Sequence, residues 1–407
     1  MTGGAAAGGQ GLTRRTAFGL ALASAGALAG RASARAPMEF LYEDGRIYVP
    51  VRLAGLSPRW FILDTGAPST VIDRDLALEA KLPLTGDEAV TGAGAGRSSM
   101  SRAGPQVLLV GDTTLAVAAP RVSPLAELLG PTSGRAPAGI VGSQFFREHV
   151  VEIDFQRRRL TPRAPDGWTY RGAGEAFALT FVNETPLTQA SLTLPDGRVV
   201  GAQVLVDLGA KATLLLPEPF IASAGLRAAF SPLVSSPFGA GFGGDTRYAF
   251  GRARRLSLGG STRVGLDRPV VGLSEGGTLK SAWHQGLLGA EFLERFHVIF
   301  DYARARLILE PTGGGAAAFD MSGLFLIAGG PGLSQVFVRN ILPGAPAAAA
   351  DLVPGDEILS VDGAQVAQVR LAGARARLKQ GPGRVVSIGL ARNGARRDIR
   401  LRLAQLV

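Results

Sequence analysis

Cysteine is absent from this 407-residue chain, and histidine occurs only at His149, His284 and His297. Without cysteine there is no disulfide, no thiolate zinc site, no cysteine nucleophile and no lipid-modified cysteine. A multi-histidine metal centre would need nearly all three histidines, and no two of them stand at ligand spacing. No apolar run reaches the roughly 20 residues that a membrane-spanning helix needs. The formal net charge is +10, yet no recognisable nucleic-acid reading element accompanies it. Much of that charge lies in "RLAGARARLKQGPGR" and "RNGARRDIRLRLA", where arginines interleave with apolar residues as on a solvated face. Weak attraction to anionic surfaces is the remaining consequence.

What is present in quantity is glycine (56) and proline (25), within a chain that is 46% apolar. This composition predicts a folded protein of two or three domains, built from short strands joined by many turns. Residues 1–36 stand apart. Arg14-Arg15 precede the Gly- and Ala-rich run "TAFGLALASAGALAG", and Ala32-Ser33-Ala34 supplies small residues for cleavage. A twin arginine in this setting resembles the signal for export of folded proteins across the bacterial membrane. It predicts a periplasmic or secreted protein with no stable membrane span once the signal is removed. The alternative is an uncleaved N-terminal anchor facing the periplasm.

Two phrases occur twice. "FILDTGAPSTVI" (61–72) and "VLVDLGAKATLL" (204–215) each run from three apolar residues into Asp, a variable residue, Gly and Ala. "GIVGSQFFREHVVEIDFQRRRLTP" (139–162) matches "GLLGAEFLERFHVIFDYARARLILEP" (286–311), pairing Gly142 with Gly289 and Asp154 with Asp301. Ile140 follows Asp64 by 76 residues and Leu287 follows Asp207 by 80. Two phrases in one order at one separation mark an internal duplication.

Each half reads as mainly β. "RIYVPVRLAG" and "PLTQASLTL" read as strands, "PQVLLVGDTTLAV" and "ARRLSLGGSTRVG" as hairpins, and "VIDRDLALEAKL" and "PEPFIASAGL" as the sites of short helices. The Pro- and Gly-rich stretch 162–176 separates the halves, and 311–320 ends the second.

A lone Asp-Thr-Gly is commonly a turn in which Asp bonds its own backbone. Duplicated behind an apolar strand, with an apolar-apolar-Gly triplet downstream, it resembles the aspartic proteases of the pepsin and retroviral type. The resemblance covers roughly residues 40–310. It implies a bilobed acid-protease fold, with lobes at 37–163 and 172–310, and an aspartic endopeptidase acting on polypeptides without a cofactor. Asp64 and Asp207 would be the catalytic pair. Thr65, Gly66, Ala67, Leu208, Gly209 and Ala210 would form the loops around them, supported by Gly142 and Gly289.

Two close carboxylates cannot both ionise, so such a pair shares one proton. Ala67 and Ala210 stand where many family members carry Ser or Thr. The loss of those hydroxyl donors predicts raised carboxyl pKa values and a mildly acidic to neutral optimum. Leu208 replaces a threonine whose hydroxyl cross-links the loops. Thr65 can still make its bond, and Leu208 cannot return it. The Gly-rich stretches 90–100 and 238–248 are placed as flaps over the substrate would be, the alternative being plain surface loops. The first lacks the aromatic residue that pepsins carry there.

Beyond residue 320 the pattern changes. Pro343-Gly344-Ala345-Pro346-Ala347, Leu352, Pro354-Gly355-Asp356, Ile358-Leu359 and Asp362-Gly363 resemble the PDZ domains of bacterial envelope proteases. This implies a small α/β PDZ domain over 321–407. Gly323, Leu324, Phe325 and Leu326 would form its carboxylate-binding loop, and "LAGARARLKQ" the helix lining its groove. Protein C-termini would be the partners, and a purely structural PDZ the alternative. A decayed protease fold that binds peptides through its PDZ is the second reading of the whole chain.

Overall fold

The computed structural model describes Met1 and residues 36–53, 55–91, 97–241, 244–276, 283–313 and 318–407. The residues read above as an export signal lie outside these, apart from Met1 and Ala36. The described residues from Ala36 onward belong to one compact unit.

The duplication reappears as two ten-stranded sheets of the same connectivity. In the first, Arg59–Leu63 lies between Arg46–Leu53, antiparallel to it, and Gly139–Val141, parallel to it. Gly139–Val141 then pairs antiparallel with Val71–Asp73. In the second, Val199–Asp207 lies between Thr185–Thr193 and Gly286–Gly289, and the latter pairs with Leu214–Leu216. These central strands are continuous apolar runs because both of their faces are covered. Phe61, Leu63, Val141, Val204, Val206 and Leu288 are all fully buried.

A third sheet of six strands draws on both halves. Val150–Asp154 pairs antiparallel with Phe296–Asp301, so the two copies of the second phrase meet along one seam. Asp154 and Asp301, equivalent in the duplication, each receive an arginine three residues on. Arg157 bonds the first at 2.9 Å and Arg304 the second at 3.2 Å. The hydrophobic core is continuous through both lobes, whereas the C-terminal domain has a core of its own.

Six α-helices occur among the described residues: α1 (Arg74–Glu79), α2 (Leu125–Ser133), α3 (Ser143–Glu148), α4 (Glu218–Ser223), α5 (Ala290–Leu293) and α6 (Val366–Arg377). The first and fourth fall in the two stretches read as short helices. α2 forms in "PLAELLGPTS" although Gly130 and Pro131 are poor helix formers by local propensity. Buried Asp73 anchors it: one carboxylate oxygen accepts from Asp75 N at 3.1 Å at the start of α1. The other accepts from Ala126 N at 2.9 Å at the start of α2. The apolar face of α2, through Leu125 and Leu129, packs on Tyr48, Ile62 and Ile140.

The C-terminal sheet runs Leu324–Gly329, Gln335–Ile341, Glu357–Val361, Val385–Arg392 and Ala395–Arg402, with α6 packed on it. Within the boundary stretch 311–320, residues 314–317 lie outside the described residues. The stretches read as flaps belong to antiparallel pairs, Leu84–Thr91 with Arg97–Ala103 and Val234–Gly241 with Gly244–Arg252. The tips at 92–96 and 242–243 are outside the described residues.

Candidate active site

Strand Arg59–Leu63 runs straight into Asp64, and Val199–Asp207 ends on Asp207. Each chain then turns sharply, because the aspartate accepts hydrogen bonds from its own loop. Asp64 Oδ1 accepts from the amides of Gly66 at 2.8 Å and Ala67 at 3.1 Å. Asp207 Oδ1 accepts from Gly209 at 2.8 Å and Ala210 at 3.2 Å. The two loops are near copies in geometry as well as in sequence.

They also face each other. A Cβ placed on Gly66 would lie 2.6 Å from Asp207 Cγ, and one on Gly209 would lie closer still to Asp64 Cγ. Glycine is required at both positions because the opposing carboxyl fills the space where a side chain would begin. The two carboxyls are hydrogen-bonded to one another.

Support beneath the loops is likewise duplicated. A Cβ on Gly142 would strike Ala67 O at 2.7 Å, and one on Gly289 would strike Ala210 O at 2.6 Å. The next residue donates to the same carbonyl, Ser143 N to Ala67 O at 2.8 Å and Ala290 N to Ala210 O at 2.9 Å. Each apolar-apolar-Gly triplet therefore lets a strand pass close under its aspartate loop and tie it down.

The lobes differ at Thr65 and Leu208. Thr65 Oγ1 donates to Val206 O at 2.7 Å and accepts from Leu208 N at 3.0 Å, crossing from one lobe to the backbone of the other. Leu208 is fully buried and offers no polar group in return. A second asymmetry follows one layer below. Ser143 Oγ donates to Thr65 O at 3.1 Å, while Ala290, its equivalent, has no hydroxyl.

Both carboxyls are half-buried at this junction. Burial raises the pKa of Asp64, opposed by the bond from Asp207 and by the amides of Gly66 and Ala67. Burial also raises Asp207, and further than Asp64, because the charge of Asp64 and the bond to it act in the same direction. Burial is thus the first cause of the upward shift, ahead of the missing hydroxyls at Ala67 and Ala210. The arrangement is that of one proton held between two carboxyls, which titrate as a pair.

The chain contains one Gly-x-Ser-x-Gly spacing, Gly272 to Gly276. Ser274 there is buried at the end of strand Val270–Ser274, with its hydroxyl given to Gly276 O at 3.3 Å. It is not the exposed strand-to-helix turn that a serine nucleophile needs. Among the described residues no group of three or more His, Asp or Glu is placed to hold a metal ion.

Gly323 to Leu326 lie at the start of the edge strand Leu324–Gly329. Gly323 adopts a positive φ of 77° and packs against Ala345. One group near the dyad gave no signal in the sequence. Asp44, in the turn after Leu41–Glu43, is ion-paired with both Lys211 and Arg375. Lys211 lies four residues beyond Asp207, and Arg375 is on α6, so one buried carboxylate joins the first lobe, the loop that follows Asp207 and the C-terminal domain. Gly45 makes room for it: its φ is 76°, and a Cβ there would come within 2.8 Å of Lys211 Cγ.

The search of solved structures returned, among others, an aspartic proteinase from Irpex lacteus, with 16% identity and a TM-score of 0.44 over 68% of this chain and 97% of that one. No curated protein matches the chain. Residues 49–145 match the family model described as aspartyl protease and residues 325–391 the model described as PDZ domain. The chain therefore carries an aspartyl protease domain followed by a PDZ domain.

Proposed function

We propose that this protein is an exported aspartic endopeptidase that hydrolyses peptide bonds with Asp64 and Asp207 acting as one dyad. The observation that carries the reading is the mutual approach of the two carboxyls, each cradled by its own loop amides and each facing the other lobe's glycine.

The chemistry follows from the shared proton. The ionised carboxyl draws a proton from a water held between the pair, and that water attacks the substrate carbonyl carbon. The protonated carboxyl donates to the carbonyl oxygen as negative charge develops there. Collapse of the tetrahedral intermediate breaks the C–N bond, with a proton returned to the departing amine. No covalent enzyme intermediate forms. The near-identical cradles mean that the base role is not fixed to either aspartate by geometry alone.

Raised pKa values keep the singly protonated pair populated toward milder pH, which suits a protein exported to the periplasm or beyond. The PDZ domain is read as a module that binds protein C-termini, presenting or regulating access to the dyad. The second reading, a decayed fold that only binds peptides, draws on Leu208. Against it, Asp207, Gly209 and Gly289 retain the same contacts as their first-lobe equivalents.

The test is digestion of casein by the chain from Arg35 onward, between pH 3 and 8, in water enriched in oxygen-18. The dyad predicts cleavage with one heavy oxygen entering each new C-terminal carboxyl. Intact casein at every pH would favour the binding-protein reading.

A further inference from the structure

The edge strand Leu324–Gly329 is paired on one side only, with Gln335–Ile341. An extended peptide joining this sheet would lie along the other side, between the strand and α6. In this chain that space is already occupied by parts of the chain itself.

The first occupant is α2 of the first protease lobe, which packs against Leu324–Gly329. Its C-terminal half reaches both walls of the groove. A Cβ on Gly130 would come within 3.0 Å of Leu333 Cδ1, just past the strand. A Cβ on Gly134, where φ is 74°, would come within 2.9 Å of Leu371 Cβ on α6. Two small residues thus let this helix sit deeper than any other side chains would allow.

The second occupant is Arg375. Its Nη2 reaches from α6 to donate to Leu326 O at 2.6 Å, and its Nη1 donates to Thr132 O of α2 at 2.8 Å. Leu326 O is the kind of edge carbonyl to which an added strand would donate an amide, and it is spent. The loop is partly spent as well. Leu324 N donates to Ser322 Oγ at 3.0 Å, while Ser322 N and Gly323 N donate to Asp320 Oδ1 at 2.9 and 2.7 Å.

The opening that remains beside the loop is a pocket of about 290 Å³, lined by Lys211, Phe319, Leu324, Phe325 and Lys379 among others. That is at the lower limit of small-ligand sites, roughly 300 to 1,000 Å³. It has room for a terminal residue and not for an extended strand.

We propose that the peptide groove of the PDZ domain is an intramolecular docking surface, closed by α2 of the first lobe and by Arg375. An extended apolar C-terminal peptide then binds only by displacing α2 and drawing Arg375 away from Leu326. The ligand class rests on the reading of this domain as a binder of protein C-termini, and on its walls: Leu326 and Leu371 are apolar, and Lys379, paired with Glu291 at 3.8 Å, stands beside the loop where a terminal carboxylate would compete for it. Because Arg375 shares Asp44 with Lys211, opening the groove also alters what holds the loop that carries Asp207.

A groove that is mostly closed weakens the apparent affinity by the fraction of molecules in which it is open. The test uses the chain from Arg35 onward carrying Asp64→Asn, so that no probe is cleaved. A fluorescein-labelled peptide ending in Leu-Val-Val is titrated into this parent and into the same chain with Arg375→Ala or Gly130→Leu. Both variants are expected to bind at least about tenfold more tightly than the parent. Hydrogen exchange on the parent, which needs no groove variant, should show faster exchange of the α2 amides at saturating peptide.

Equal affinity in parent and variants, or α2 exchange unchanged by saturating peptide, would overturn the closure and leave the C-terminus-binding reading standing. No binding by any of the three chains would overturn both. Neither result bears on the dyad, since cleavage is absent from the experiment by design.

Discussion

Thr65 Oγ1 accepts the amide hydrogen of Leu208 at 3.0 Å while donating its own to the carbonyl of Val206, and nothing on the Leu208 side chain answers it. One hydroxyl therefore does alone what two do in a symmetric pair. Thr65→Val keeps the shape and leaves the buried Leu208 N–H and Val206 C=O without this partner. A loss of about 1 to 3 kcal/mol is expected, read by urea denaturation of the full chain. Leu208→Thr should shift stability much less, since it exchanges apolar packing for a hydrogen bond.

Glycine at 66 and 209 is explained by the opposing carboxyl. Gly66→Ala places a methyl 2.6 Å from Asp207 Cγ, which forces the aspartates apart without touching either core. Cleavage should fall by at least about a hundredfold, the scale expected when reacting groups are displaced by about 1 Å. Circular dichroism should remain that of the parent. Unimpaired cleavage would mean that the carboxyls need not meet.

The dyad also predicts a pH dependence of stability. Burial holds the pKa of Asp207 above its unfolded value. Between those two values the unfolded chain has already released a proton that the folded chain retains. Stability contributed by this group is therefore fully present below the unfolded pKa, near 3.9, and is lost as pH rises through the folded one. Asp207→Asn removes that loss. Its melting temperature should match the parent near pH 4 and exceed it at pH 7. The opposite order at pH 7 would contradict a raised Asp207.

Asp44 shifts the other way. Although burial opposes it, Arg375 and then Lys211 hold its carboxyl well below the usual range. Lys211 is lowered to about 7, by burial first and by the charge of Arg375 next, so one carboxylate is serving two cations. Asp44→Asn leaves those cations facing each other with side chains only 17% and 14% exposed. Removing one partner of such a cluster costs about 3 to 5 kcal/mol. Lys211→Met, which leaves Asp44 paired with Arg375, should cost clearly less by the same denaturant measurement.

The parts of this architecture that were legible in the sequence were those fixed by local repeats. An apolar run ending in Asp-x-Gly-Ala is a strand feeding a tight turn, and its repetition gave both lobes and both aspartates. Gly142 and Gly289 were legible for the same reason. The seam between Val150–Asp154 and Phe296–Asp301 was not, because the two strands lie far apart in sequence and neither has a pattern that names its partner.

α2 was missed because Gly130 and Pro131 are helix breakers by local propensity. A buried carboxylate from elsewhere, Asp73, fixes its start, and packing on the first lobe's core does the rest. Asp44 gave no signal, since Asp-Gly between two short strands reads only as a turn. Its two cations come from 167 and 331 residues away. The direction of the dyad's pKa shift was readable from Ala67 and Ala210, but its first cause, burial between the lobes, belongs to the folded chain.

Casein cleavage by the unsubstituted chain beside Asp64→Asn and Asp207→Asn tests the central claim most directly. A working pair predicts that cleavage disappears in both variants while each remains folded. Cleavage that survives Asp207→Asn would contradict the two-lobe dyad, whatever the first lobe does.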